Sequence, residues 1–165
     1  MRIDEFDGLD QEAARQAIRP ALDVPRWVDE IVAARPLAGR EALLETARSA
    51  AHPLTDDEVD QALAHHPRIG DRAQGDSAEA TLSRHEQSHV DPDDVEIQRR
   101  LREGNLAYEE RFGHVFLIRA AGRSPQEILE ALRARMSNDP ATERGIVAEQ
   151  LRQIAVLRLE GLFTS

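Results

Sequence analysis

Apolar residues recur three and four positions apart along nearly the whole chain, and helix-start signatures stand directly before several of these runs. Thr55 and Glu58 form a capping box ahead of Val59, Ala62 and Leu63, a spacing at which each side chain can satisfy an otherwise orphaned amide. Ser124, Pro125 and Glu127 place a cap, a first-position proline and a third-position acid before Ile128, Leu129 and Leu132. Asp139-Pro140 opens a last helix in the same way, reaching Leu162. Helical spacing also marks 10–19, 39–51, 93–112 and a run that Pro25 opens through Trp27, Ile31 and Val32; Gly113 is the C-cap expected after 112. Val115–Ala120 is a short apolar run that periodicity does not assign. A lone strand would have no partner here, so the run is read as a buried extended piece or a short helix. The expected fold is an all-α, single-domain helical bundle of about seven or eight helices over 1–165.

Between the fifth helix and the 93–112 helix the pattern changes. Pro67, Gly70 and Gly75 read as a loop over 67–80, and a short helix around Ser83–Val90 stops near Asp91-Pro92. The fifth helix should run to His65 or His66, because Pro67 disfavours helical geometry in the residue before it. No repeat, linker or low-complexity tract divides the 165 residues, of which 41% are hydrophobic, enough for one continuous core. The net charge of -10 argues against a groove that tracks nucleic-acid phosphates. Absence of cysteine removes thiolate nucleophiles, disulfides and Cys-ligated zinc. The N-terminus carries no apolar signal segment, and no run approaches the roughly eighteen apolar residues of a membrane helix. These features place the expected protein in the cytoplasm, without nucleic-acid or membrane partners.

Three groups stand out from a bland helical core. In the last helix Val147, Leu151, Ile154, Arg158 and Leu162 share one face. An arginine in that stripe snorkels to solvent, pairs with an anion, or clamps a ligand's carboxylate or ring oxygen. His66, at a helix end before Pro67-Arg68-Ile69-Gly70, has a proton affinity suited to acid–base work, although helix dipoles also favour histidine at that position. The polar run Ser83-Arg84-His85-Glu86-Gln87-Ser88-His89 contains H-E-x-x-H, the pattern of zinc peptidases. Its polar flanks and the nearby Asp91-Pro92 weigh against a zinc helix, which normally continues well past the motif. A zinc-dependent metallopeptidase using His85, Glu86 and His89 is therefore the lesser reading, beside a non-catalytic helical binding protein.

Taken together, HHPRIG at 65–70, SRHEQ at 83–87, EGNLAYEERFGHVFLIRAAGRS at 103–124, LRARMSNDPATE at 132–143 and QLRQIAVLRLEGL at 150–162 resemble the OHCU decarboxylase family. That family acts on 2-oxo-4-hydroxy-4-carboxy-5-ureidoimidazoline (OHCU) in urate degradation. The resemblance implies a cofactor-free, metal-free carboxy-lyase that makes S-allantoin, and carries over a homodimer. It places the catalytic histidine on His66 and the catalytic glutamate on Glu86. Ser83, Gln87, Pro67 and Arg158 become substrate-binding groups, with the backbone of Phe116, Leu117 and Ile118 lining the pocket. Asn138 matches an asparagine after the penultimate helix. Ser88-His89 stands where many members have Ala-Gly, and the N-terminal third matches loosely.

Overall fold

The computed structural model describes residues 1–66 and 95–165. Among them are eight helices and no strand: α1 (Ile3–Asp7), α2 (Gln11–Ile18), α3 (Pro25–Ala33), α4 (Arg40–Ala50), α5 (Asp56–Leu63), α6 (Val95–Phe112), α7 (Pro125–Arg135) and α8 (Pro140–Leu162). The expected loop at 67–80 and short helix at Ser83–Val90 lie outside the described residues. No described helix is long and apolar enough to cross a membrane.

The caps form as the sequence predicts. Thr55 Oγ1 accepts from the Glu58 amide at 3.1 Å while Glu58 Oε1 accepts from the Thr55 amide at 2.9 Å. Ser124 Oγ accepts from the Glu127 amide at 3.1 Å, and Asp139 Oδ1 from the Thr142 amide at 2.8 Å. Gly113 takes a positive φ of 77° after α6, a conformation that side-chain-bearing residues rarely adopt. Two boundaries differ from expectation. α5 ends at Leu63 rather than at 65 or 66, and the His66 amide closes a turn onto the Leu63 carbonyl. Pro67 has no N–H to return to the Leu63 carbonyl, so the helix loses the bond that would carry it through 66. α1 was not anticipated, because five residues are too few to show a period; its Arg2 amide is bonded by Glu5.

The chain divides into two compact units, Met1–Ala62 with Leu151–Ser165, and Leu63–Gln150. In the first, α2 packs on α3 and α3 on α4. Its core holds Phe6, Ile18, Trp27, Ile31, Leu43 and Leu44, with the Trp27 indole N–H on the Ala47 carbonyl at 3.0 Å. Phe6 meets Phe163 edge-on, with ring centroids 5.3 Å apart. Arg40 donates to the carbonyls of Phe163 and Glu160 at 2.9 and 2.8 Å, supplying partners that a helix C-terminus otherwise lacks. The second unit packs α6 on α7 around Leu101, Tyr108, Phe116, Ile118, Ile128, Leu129 and Leu132. A Cβ at Gly104 would stand 2.8 Å from Leu132 Cδ2, so the absent side chain lets the two helices approach.

Candidate functional site

His66 stands in the turn that follows α5, half-buried, while neighbouring His65 is exposed to solvent. Pro67, Ser83, Glu86 and Gln87 lie outside the described residues, as do His85 and His89 of the zinc-like pattern. Among the described residues no cluster of three or more metal-ligating side chains occurs.

Arg158 is 3% exposed, so it does not snorkel. Around it Ile154, Ala155, Val156 and Leu159 are buried too, which means this part of α8 is enclosed on more than one face. Nη1 of Arg158 lies 3.4 Å from the Pro20 carbonyl, in the turn between α2 and α3. A guanidinium has the planar fork that suits a carboxylate or a ring oxygen, and the helix on which it stands fixes its stem.

Phe116, Leu117 and Ile118 are 1%, 4% and 6% exposed, in a segment that is neither helix nor strand. The buried piece without helical turns is thus the correct alternative for Val115–Ala120. Backbone so buried needs hydrogen-bond partners, and here side chains supply several of them. Arg135 Nη1 donates to the Leu117 carbonyl at 2.7 Å, the Arg119 amide donates to Gln150 Oε1 at 2.8 Å, and Arg123 Nε donates to the Arg119 carbonyl at 2.9 Å. Among the described residues, no hydrogen bond reaches the amide N–H groups of Phe116, Leu117 or Ile118. Those donors are the kind of group that reads a polar ligand.

Behind the segment stands a buried polar network that the motif reading missed. Glu143 is fully buried on the first turn of α8. Its Oε1 accepts from the Tyr108 hydroxyl at 2.5 Å and from Arg135 Nε at 2.7 Å, and its Oε2 accepts from Asn138 Nδ2 at 3.1 Å. The Arg135 guanidinium lies 4.6 Å from the centre of the Phe116 ring and 5.9 Å from that of Tyr108. Burial, reinforced by the bond to Glu143, pushes the Tyr108 hydroxyl above its ordinary pKa, so it remains a donor. Asn138 therefore has the structural role of a Glu143 partner. Helical phase held the missing signal: Glu143 sits one turn before Val147 on the Arg158 stripe, and Arg135 follows Ile128 and Leu132 on theirs.

A family model described as OHCU decarboxylase matches residues 7–160. The chain is 32% identical over 108 residues to the uric acid degradation bifunctional protein TTL of Arabidopsis thaliana, covering 63% of this chain and 33% of that protein. It is 29% identical over 145 residues to the 2-oxo-4-hydroxy-4-carboxy-5-ureidoimidazoline decarboxylase of Amia calva, covering 85% and 70%. This chain thus spans about a third of the Arabidopsis relative and over two thirds of the Amia one. Its fold matches a crystal structure of OHCU decarboxylase in the presence of (S)-allantoin, with TM-score 0.74 and 23% identity over 95% of this chain and all of that one. A structure of (S)-allantoin synthase superposes with TM-score 0.71 at 15% identity, over 99% of this chain and 54% of the other.

Proposed function

This chain belongs to the OHCU decarboxylase family, and we propose that it decarboxylates OHCU to S-allantoin without metal or organic cofactor. The family match across 7–160 carries the reading. The amides of Phe116–Ile118, unbonded to other described residues, and the enclosed guanidinium of Arg158 support it. The same match spans both compact units, which favours treating 1–165 as one working domain. A cytoplasmic homodimer completes the proposal; the dimer is carried over from the family.

The substrate supplies its own electron sink. Its C4 carries a hydroxyl and a carboxylate beside a C5 imine. When the bond from C4 to the carboxylate breaks, carbon dioxide leaves, the electron pair moves into a C4–C5 double bond and on to the ring nitrogen, and that nitrogen takes up a proton. His66, oriented by Glu86, takes the C4 hydroxyl proton or stabilises the charge developing there. The enediol-like intermediate then receives a proton at C5 from one face, which sets the S configuration. Arg158 holds the anionic or carbonyl edge of the ring, while Ser83, Gln87 and the Phe116–Ile118 amides read its urea-like groups, with Pro67 against the ring.

The test is a rate assay with freshly generated OHCU that follows its decay and the handedness of the allantoin, with and without a chelator. Accelerated decay to S-allantoin, insensitive to chelation, is expected. His66→Ala should lose roughly 100-fold in kcat, the usual scale for an acid–base group. Arg158→Ala should act chiefly on KM. No acceleration by folded wild-type protein would reject this substrate; chelator-sensitive turnover would return the reaction to the zinc reading.

A further inference from the structure

The segment Val115–Ala120 has no strand partner and no helix of its own, yet under the proposed function its backbone must meet substrate accurately. Something else must set its conformation. The strongest candidate is Arg135, which touches it in two chemically different ways. Nη1 donates to the Leu117 carbonyl at 2.7 Å, and the guanidinium plane lies near the Phe116 ring, 4.6 Å from its centre. The other side of the same guanidinium is held by Glu143, through Nε at 2.7 Å and a further ion pair from Nη2 at 2.5 Å.

We propose that Arg135, fixed by Glu143, is a positioning residue that sets the Phe116–Ile118 backbone for substrate binding. The inference rests on the function proposed above in taking that backbone as part of the pocket. Glu143 is itself fixed, because Tyr108 and Asn138 occupy its remaining acceptor sites from α6 and from the turn after α7. A carboxylate with donors from three directions has one orientation, and the guanidinium it holds has one plane. The network therefore transmits the rigidity of three helices to six residues that make no regular structure. Arginine is required rather than any cation. Lysine has a single nitrogen on a flexible stem; it can neutralise Glu143, but it cannot bridge to the Leu117 carbonyl and has no plane to stack on Phe116.

That difference gives the experiment. In Arg135→Lys, KM for OHCU should rise about tenfold while kcat stays within about threefold, the pattern expected when ground and transition states lose the same binding energy. Amide hydrogen exchange at residues 116–118 should quicken in the same variant, a readout that needs no substrate. Val147→Ala, a buried truncation in the same unit but outside the Phe116 cluster, should lower the melting temperature and leave KM within about twofold. Should Arg135→Lys fail to fold, Tyr108→Phe keeps the ring and the guanidinium but frees one side of Glu143, and should raise KM about threefold. Wild-type KM and unchanged exchange in a folded Arg135→Lys would overturn the proposal. So would an equal rise of KM in Val147→Ala, because general loosening would then explain both. If wild-type protein fails to turn over OHCU, the functional reading falls alone, and the exchange comparison still decides whether Arg135 holds the segment.

Discussion

The two compact units each use arginines to satisfy backbone carbonyls, but in different surroundings. In the first unit Arg40 reaches the C-terminal carbonyls of α8, and Arg35 reaches those of Phe6 and Leu9, from half-buried positions. Water can replace such a donor, so the arginine tidies an end that the helix already has. In the second unit Arg135 is 7% exposed and its counterion Glu143 is fully buried. Water cannot easily take its place, and the carbonyl it holds belongs to a segment with no hydrogen-bond ladder. The same side chain is thus an accessory in one unit and a determinant of conformation in the other.

The comparison breaks most readily at the buried pair. Arg135→Met should cost about 3–5 kcal/mol in denaturant unfolding, because it leaves the Glu143 charge enclosed without its cation. Adding Glu143→Leu to that variant should recover part of the loss, since replacing a buried pair with apolar groups is often nearly neutral. A double variant no more stable than the single one would show that Glu143 is held well enough by Tyr108 and Asn138 alone. In the first unit, Arg40→Ala should cost only about 1 kcal/mol by the same measurement. A loss as large as that of Arg135→Met would erase the distinction.

Arg26 and Glu58 supply an intermediate case, with Glu58 only 13% exposed and bonded to Arg26 at 2.8 and 3.0 Å. The hydrogen bond from Arg26 holds the Glu58 carboxyl below its ordinary pKa. Its stabilisation is therefore complete above the unfolded carboxyl value of about 4.3, and fades as pH falls through the lowered folded value. Glu58→Gln should be less stable than wild type by about 1 kcal/mol at pH 7, and the two melting temperatures should converge in acid. Smallest of all, Glu96→Gln should lower the melting temperature only slightly, because Glu96 pairs with exposed Arg99 and Arg100 on α6, and salt should shrink the difference.

Legibility followed the range of the interaction. Caps at Thr55, Ser124 and Asp139 act over three residues, and they formed where the sequence placed them. α5 ends two or three residues before the expected position, because a proline removes the N–H that would bond four residues back as well as restricting its immediate neighbour. Within the candidate site, Arg158 was conspicuous as a charge on an apolar stripe, and it is buried as that stripe requires. Glu143 and Arg135 obey the same rule but escaped notice. Each looked acceptable in its own helix, near an end rich in charged residues, and only their meeting across eight residues of sequence explains the burial of both. Tyr108 read as an ordinary apolar position, since periodicity registers the ring and is blind to the hydroxyl.

One arrangement in the first unit bears on how the protein is made. Phe6 packs on Phe163, the Met1 amino group donates to the Leu162 carbonyl at 2.9 Å, and the Thr164 amide returns a bond to the Met1 carbonyl at 2.9 Å. The ribosome must build 63–150 between the two parts of this unit, a delay of roughly 4–18 s at ordinary synthesis rates. During that interval Phe6 has emerged without the ring that covers it, and the nascent N-terminal helices carry an open apolar seam. The unit closes only once residues 151–165 have been made, so that segment acts as its latch. A chain held before that segment has left the ribosome keeps an open seam that chaperones should recognise, whereas a chain from which it has emerged is able to complete this core.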